Sequence, residues 1–293
     1  MSIPGAPQSP ANTPVCYRHP DRATYVRCAR CQRYICPECM REASVGHHCV
    51  DCIRTDAKTV RRPRTHFGGR QGSTTPLVTY GLIAINVLMF ALQTASRGLE
   101  TRLVLWSPAV GDGQLYRLVT SAFMHYGIVH LLFNMWALYV VGPALEHWLG
   151  RMRFIGLYAL SALGGSVLVY LASPLNAATA GASGAVFGLF GATFVAAKRL
   201  NLDVRGVVGI IVLNLVFTFV VPAVSSQSIS WQGHVGGLIT GTVVAWAYAF
   251  APRERRTLVQ AGATAAVVTL FGVLIWWRTH GLLAMFGGYL GLG

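Results

Sequence analysis

From residue 77 onward this 293-residue chain is cut by small charged clusters into long runs that hold no Asp, Glu, Lys or Arg: 77–96, 118–145, 154–197, 206–252 and 257–277. A helix that crosses a bilayer needs about 20 mostly apolar residues. Lipid admits a spanning segment only when its backbone groups bond one another, as they do in a helix. The 154–197 run is long enough for two helices and is broken by Ser173-Pro174-Leu175-Asn176, while the 206–252 run is broken by Pro222 and Ser225-Ser226-Gln227-Ser228. Seven spans follow, over roughly 77–95, 127–146, 153–172, 182–199, 206–222, 233–250 and 257–277. The expected class is therefore an all-α polytopic membrane protein.

Short cytoplasmic loops retain positive charge, and the basic residues alternate accordingly. Arg61, Arg62, Arg64 and Arg70 precede the first span, Arg151 and Arg153 follow the second, Lys198, Arg199 and Arg205 follow the fourth, and Arg253, Arg255 and Arg256 follow the sixth. The loops 173–181 and 223–232 carry no charge. This pattern predicts a cytoplasmic amino terminus and an extracytoplasmic carboxyl terminus in the plasma membrane, with the first span acting as an uncleaved anchor. The loop 97–126 holds Arg97, Arg102 and Arg117 beside Leu103-Val104-Leu105-Trp106 and is expected to lie in the outer interface. A net charge of +14 would suit nucleic acid, but the inside loops and the basic stretch before span one account for most of it. No nucleic-acid partner is expected.

All seven cysteines lie in residues 16–52, in four pairs with one spacing: Cys16 and His19, Cys28 and Cys31, Cys36 and Cys39, Cys49 and Cys52. A two-residue spacer lets both side chains of a pair reach one tetrahedral Zn²⁺, and eight such ligands suit two structural ions. A reducing cytoplasm favours metal over disulfides. The neighbouring His47 and His48 are alternatives to Cys49. The order of pairs resembles the cross-braced zinc domains of the B-box and RING type, and that resemblance implies one ion on Cys16, His19, Cys36 and Cys39 and the other on Cys28, Cys31, Cys49 and Cys52. With every ligand position filled by protein, no position is left open for catalysis. The module is read as structural, with an unknown protein partner.

Polar residues inside spans are costly and rare, so those present point to function. Span two carries His130 and Asn134 one turn apart, with His125 just before them; span four opens on Gly181-Ala182-Ser183-Gly184; span six opens on Gly233-His234-Val235-Gly236-Gly237. Spans two, four and six all run from outside to inside, which places Ser183, His234 and His130 at similar depth near the outer face. Gly184 with Gly188, and Gly237 with Gly241, are small residues four apart that allow spans four and six to approach closely.

The elements His125-x₄-His130-x₃-Asn134, Gly-Ala-Ser183-Gly and His234-x-Gly-Gly-x₃-Gly241 resemble the rhomboid family of intramembrane serine proteases. Tyr116-Arg117, where the family usually has Trp-Arg, and Gly142-x-x-Leu145-Glu146 extend the likeness. It implies a six-helix core with a seventh C-terminal transmembrane helix added. The expected organisation is a disordered N-terminus (1–14), a zinc-binding domain (15–54), a flexible basic linker (55–75), the rhomboid core (76–252) and the extra helix with its tail (253–293). A serine hydroxyl needs a base, which makes Ser183 the nucleophile and His234 the base. The only acidic residue within the predicted spans is Glu146, at the far end of span two, so a dyad rather than a triad is expected. Asn134, His130 and the backbone N–H of Ser183 are the candidate oxyanion donors, and His125 could line a water-retaining cavity. Glu146 is expected to pair with a basic residue or to cap backbone groups. The implied partners are the lipid bilayer and single-span or multi-span membrane-protein substrates, cut near the outer face after passing a gate formed by span five and residues 223–232. The alternatives are a catalytically inactive relative that binds membrane helices, and a transporter, which would place ionisable groups near mid-membrane.

Overall fold

A computed structural model describes residues 13–59, 64–70, 75–96, 98–224 and 230–290. Two compact units divide at Arg62 and Pro63. The first contains an antiparallel hairpin of β1 (Met40–Glu42) and β2 (His47–Cys49), turned at Gly46, where φ is +65°, and followed by α1 (Val50–Thr59). Of the N-terminal segment expected to be disordered, residues 1–12 lie outside the described residues, while Pro14 accepts a backbone bond from Thr24.

The second unit is helical. After α2 (Leu77–Ala95), the chain forms α3 (Leu99–Leu103), β3 (Leu105–Trp106), α4 (Ser107–Gly111), α5 (Arg117–Thr120) and a 3-10 turn (Ser121–Phe123). The long helices α6 (Ile128–Leu149) and α7 (Arg151–Ala172) follow, then β4 (Ala178–Thr179), α8 (Ser183–Arg199), α9 (Arg205–Val224), α10 (Trp231–Phe250) and α11 (Arg256–Leu290). Seven of these helices coincide with the seven expected spans. Among the described residues, four of them, α2, α6, α7 and α11, are long and apolar enough to cross a membrane by themselves. Helix α8 has 17 residues, short of the usual span. Helix α11 overruns its expected end by a wide margin, because Arg278 donates to the Tyr170 carbonyl (3.3 Å) and need not end the helix.

Burial sorts the helices. Nearly every residue of α8 from Gly184 to Ala197 is buried, whereas α2 buries only Thr79 and Asn86. Helix α8 is the central post, surrounded by α6, α7 and α10, and their Leu138, Leu145, Phe154, Leu157, Leu189 and Val244 form the core. Trp136, Phe133 and Leu132 on α6 and Trp276 and Trp277 on α11 are exposed, as lipid-facing side chains are.

The stretch 55–75, expected to be a flexible linker, is in part ordered. Residues 55–59 belong to α1, and residues 64–70 fold onto the end of the bundle, with residues 60–63 and 71–74 outside the described residues. Phe67 is buried, its N–H donates to the Trp148 carbonyl (3.2 Å) and its carbonyl accepts from Gln260 Nε2 (3.1 Å). Gly69 lies flat against the Leu149–Gly150 backbone, where a Cβ would overlap the Leu149 carbonyl. Close backbone approach explains Gly69 better than flexibility does.

Glu146 anchors the same end. Its carboxylate accepts from the Val78 N–H (3.1 Å), the Thr79 N–H (2.9 Å) and the Thr79 hydroxyl (2.9 Å), and lies 3.7 Å from Arg151 Nε. An acid on α6 thus caps the first turn of α2, where the helix leaves N–H groups unpaired. Gly142 sits one turn earlier because Thr79 occupies the space its Cβ would need, with Thr79 Cγ2 only 2.6 Å away. Glu146→Ala is expected to lower stability by about 3 kcal/mol and Glu146→Gln by about half that, since the amide can still accept one N–H bond; thermal melts in detergent measure both.

Candidate active site and metal-binding module

Helices α8 and α10 run in parallel with their backbones in contact. A Cβ at Gly237 would overlap the Gly184 carbonyl oxygen, and one at Gly241 would overlap the Gly188 carbonyl oxygen, one turn further along both helices. Helix α7 joins the seam, since a Cβ at Gly165 would stand 2.7 Å from the Gly233 carbonyl oxygen. Side chains at the start of α8 and α10 are therefore separated by little more than two backbones.

Ser183 is the first residue of α8. Before it, Gly181 adopts φ +134°, held by its N–H to the Ser121 carbonyl (2.9 Å). A Cβ at Gly181 would lie 2.7 Å from His130 Cε1, 2.9 Å from His130 Nε2 and 3.5 Å from Ser183 Oγ. His130 and Ser183 thus flank one small space that only glycine leaves open. Asn134, one turn below His130, is buried and donates from Nδ2 to the His130 carbonyl (2.9 Å), which fixes its amide and leaves one N–H for another acceptor.

His234 lies in the first turn of α10, whose N-cap Ser230 accepts from the Gly233 N–H. Its ring stacks on Phe187, one turn below Ser183, at 4.1 Å and 11°. Its Nδ1 is 2.6 Å from Thr218 Oγ1 on α9. No hydrogen bond joins His234 to Ser183 among the described residues; such bonds are often long in the absence of substrate. His125 is fully buried, its ring edge-on to His130 at 5.2 Å, and neither ring nitrogen has a protein partner among the described residues. Gln93 on α2 holds the His125 backbone from both sides, donating to its carbonyl (2.6 Å) and accepting from its N–H (3.1 Å).

The loop before α6 is fastened by Arg117, which donates to the carbonyls of Thr101 (2.9 Å) and Val104 (2.8 Å) and to Gln114 Oε1 (2.8 Å). Strand β3 pairs with β4, so the loop docks on the segment that leads to Ser183. Tyr116 stays half-exposed, and the anchoring falls to the arginine. Gln93, Phe187 and Thr218 are silent in the sequence, where a lone amide, ring or hydroxyl at helical spacing carries no signal until its partner is known. Of the stretch expected to gate the site, residues 225–229 lie outside the described residues.

In the N-terminal unit, Cys16, His19, Cys36 and Cys39 form one quartet and Cys28, Cys31, Cys49 and Cys52 another, each with its ligand atoms within 4.8 Å of one another. Both could hold a metal ion. A tetrahedral site with metal–sulfur bonds of about 2.3 Å spaces its sulfurs about 3.8 Å apart. The Cys28–Cys52 and Cys31–Cys49 separations are 3.9 and 3.7 Å, and His19 Nδ1 lies 3.3–3.8 Å from the three sulfurs of its quartet. Cys49, not His47 or His48, completes the second quartet. Backbone N–H groups of Cys49 and Cys52 donate to the sulfurs of Cys28 and Cys49, and Arg33, donating to Cys31, holds that thiol down at about 6. Both features favour thiolate ligands. Removal of metal with a strong chelator is expected to melt this unit, because eight converging ligands replace a core that some 40 residues cannot build; loss of amide dispersion in NMR spectra of the unit checks it.

Residues 112–251 match the Rhomboid domain. Over 181 residues the chain is 34% identical to the putative rhomboid protease YdcA of Bacillus subtilis (strain 168), covering 58% of this chain and 87% of that one. The chain belongs to the rhomboid family. Two further rhomboids are similar: the rhomboid protease GluP of Bacillus subtilis (strain 168), 37% identical over 57% of this chain and 34% of GluP, and rhomboid-like protease 1 of Toxoplasma gondii, 29% identical over 49% and 50%. The match thus spans about a third of GluP and half of the Toxoplasma protein. Rhomboids are a family of intramembrane proteases, and the seam of α7, α8 and α10 falls within the matched residues.

Proposed function

We propose that this rhomboid is an active intramembrane serine endopeptidase that cuts transmembrane segments near the outer face of the plasma membrane. The observation that supports it most is that Ser183 and His234 lie at the same end of the glycine-packed helices α8 and α10, with His130 of α6 beside Ser183. Ser183 Oγ attacks the scissile carbonyl carbon while His234 takes its proton; the tetrahedral oxyanion is received by the Asn134 amide, His130 and the unpaired first-turn N–H groups of α8. Collapse expels the amine, which leaves with the proton from His234, and water, deprotonated by His234, then releases the acyl fragment as a carboxylate. The positive loops support a cytoplasmic amino terminus and a site at the outer face. The two quartets hold structural Zn²⁺, and the module they build recruits a protein partner.

Purified protein in liposomes, given a single-span reporter, should cut it near its outer end and label at Ser183 with a fluorophosphonate. An inert wild type that also resists the label would leave the helix-binding reading in its place.

A further inference from the structure

Thr218 is buried on α9, and its Oγ has two neighbours: His234 Nδ1 at 2.6 Å and the Asn214 carbonyl oxygen, one turn earlier, at 2.8 Å. A hydroxyl has one proton and two lone pairs. The Asn214 carbonyl has no proton to offer, so the bond between them uses the Thr218 proton. What remains on Thr218 Oγ towards His234 is a lone pair, and the contact is a hydrogen bond only if Nδ1 carries the proton. A neutral imidazole protonated at Nδ1 has its free lone pair on Nε2.

We propose that Thr218 is a positioning residue for His234: its hydroxyl, polarised by the Asn214 carbonyl, accepts from Nδ1–H and holds the imidazole in the tautomer whose Nε2 can take a proton from Ser183. Phe187 fixes the plane of the ring and Thr218 fixes its rotation within that plane, from α8 and α9 respectively. This is the task a carboxylate performs in a Ser-His-Asp triad. Here it is done without a charge, which suits a site where a buried carboxylate would be costly. The inference rests on the reading of Ser183 and His234 as the reacting pair.

The first test needs no variant. Nitrogen-15 spectra of the wild type in micelles, with His234 assigned, should show the neutral ring protonated at Nδ1; protonation at Nε2 overturns the inference. The second compares Thr218→Val, which keeps the volume and loses the acceptor, with Thr218→Ser, which keeps it. Thr218→Val should lower kcat about tenfold, with KM within about twofold of wild type and a mixed tautomer at His234. Thr218→Ser should recover most of the rate. If Thr218→Val matches wild type while Ser183→Ala and His234→Ala are inactive, Thr218 has no positioning role but the reacting pair stands. If Ser183→Ala still cuts, the pair itself is wrong and the role of Thr218 falls with it.

Discussion

Ser183→Ala, His234→Ala and the double variant should all fall to the same floor, about 10⁴- to 10⁶-fold below wild type. A nucleophile and its base act as a unit, so removing either removes the covalent route, and removing the second costs nothing more. On the proposed mechanism, what should survive is the slow attack of water on a carbonyl still held by Asn134, His130 and the first-turn N–H groups of α8. Initial rates on a single-span reporter in proteoliposomes measure this, with melting temperatures to show that each variant is folded. Losses that multiply in the double variant would mean that Ser183 and His234 act independently.

Gly237→Val should come next in effect. A side chain there has no room to rotate away, because what it meets is the Gly184 backbone and not the tip of a flexible side chain. Overpacking of a core costs about 1–3 kcal/mol, and contact with backbone on a rigid central helix belongs at the upper end of that range. The seam can open only by moving α10, and His234 with it, away from Ser183. A displacement of about 1 Å at a reacting group can cost about 100-fold in rate. Activity should therefore fall further than stability predicts. Gly272→Val on α11 is the control, since a Cβ at Gly272 meets nothing within 4 Å. If both variants keep wild-type rates, close approach along the seam does not set the distance between the reacting groups.

Much of this architecture was legible because charge in a membrane protein is placed by lipid and not by tertiary packing. The clusters at Arg151, Lys198 and Arg253 mark helix ends to within a few residues, as α7, α8 and α10 show. Where a charged group finds a protein partner the rule fails, and Arg278 passes unnoticed through the middle of α11. The short helices between Gly98 and Phe123 were unreadable for a related reason. They carry little periodicity of their own and are held by one buried arginine bonded to carbonyls 13 and 16 residues away. Ser183, His130 and His234 stood out as polar residues beside glycines. Thr218 did not, because a threonine in an apolar helix ordinarily bonds its own backbone, as this one also does; only the fold reveals its second partner.

The seven cysteines all belong to the N-terminal unit, and the helical unit contains none. Thiol-directed reagents therefore act on only one of the two. Peroxide or a maleimide would strip the quartets of their thiolates and leave no mark on Ser183 or His234. Thiol chemistry thus reaches only the N-terminal unit, while the bundle has no thiol through which its chemistry could be poisoned.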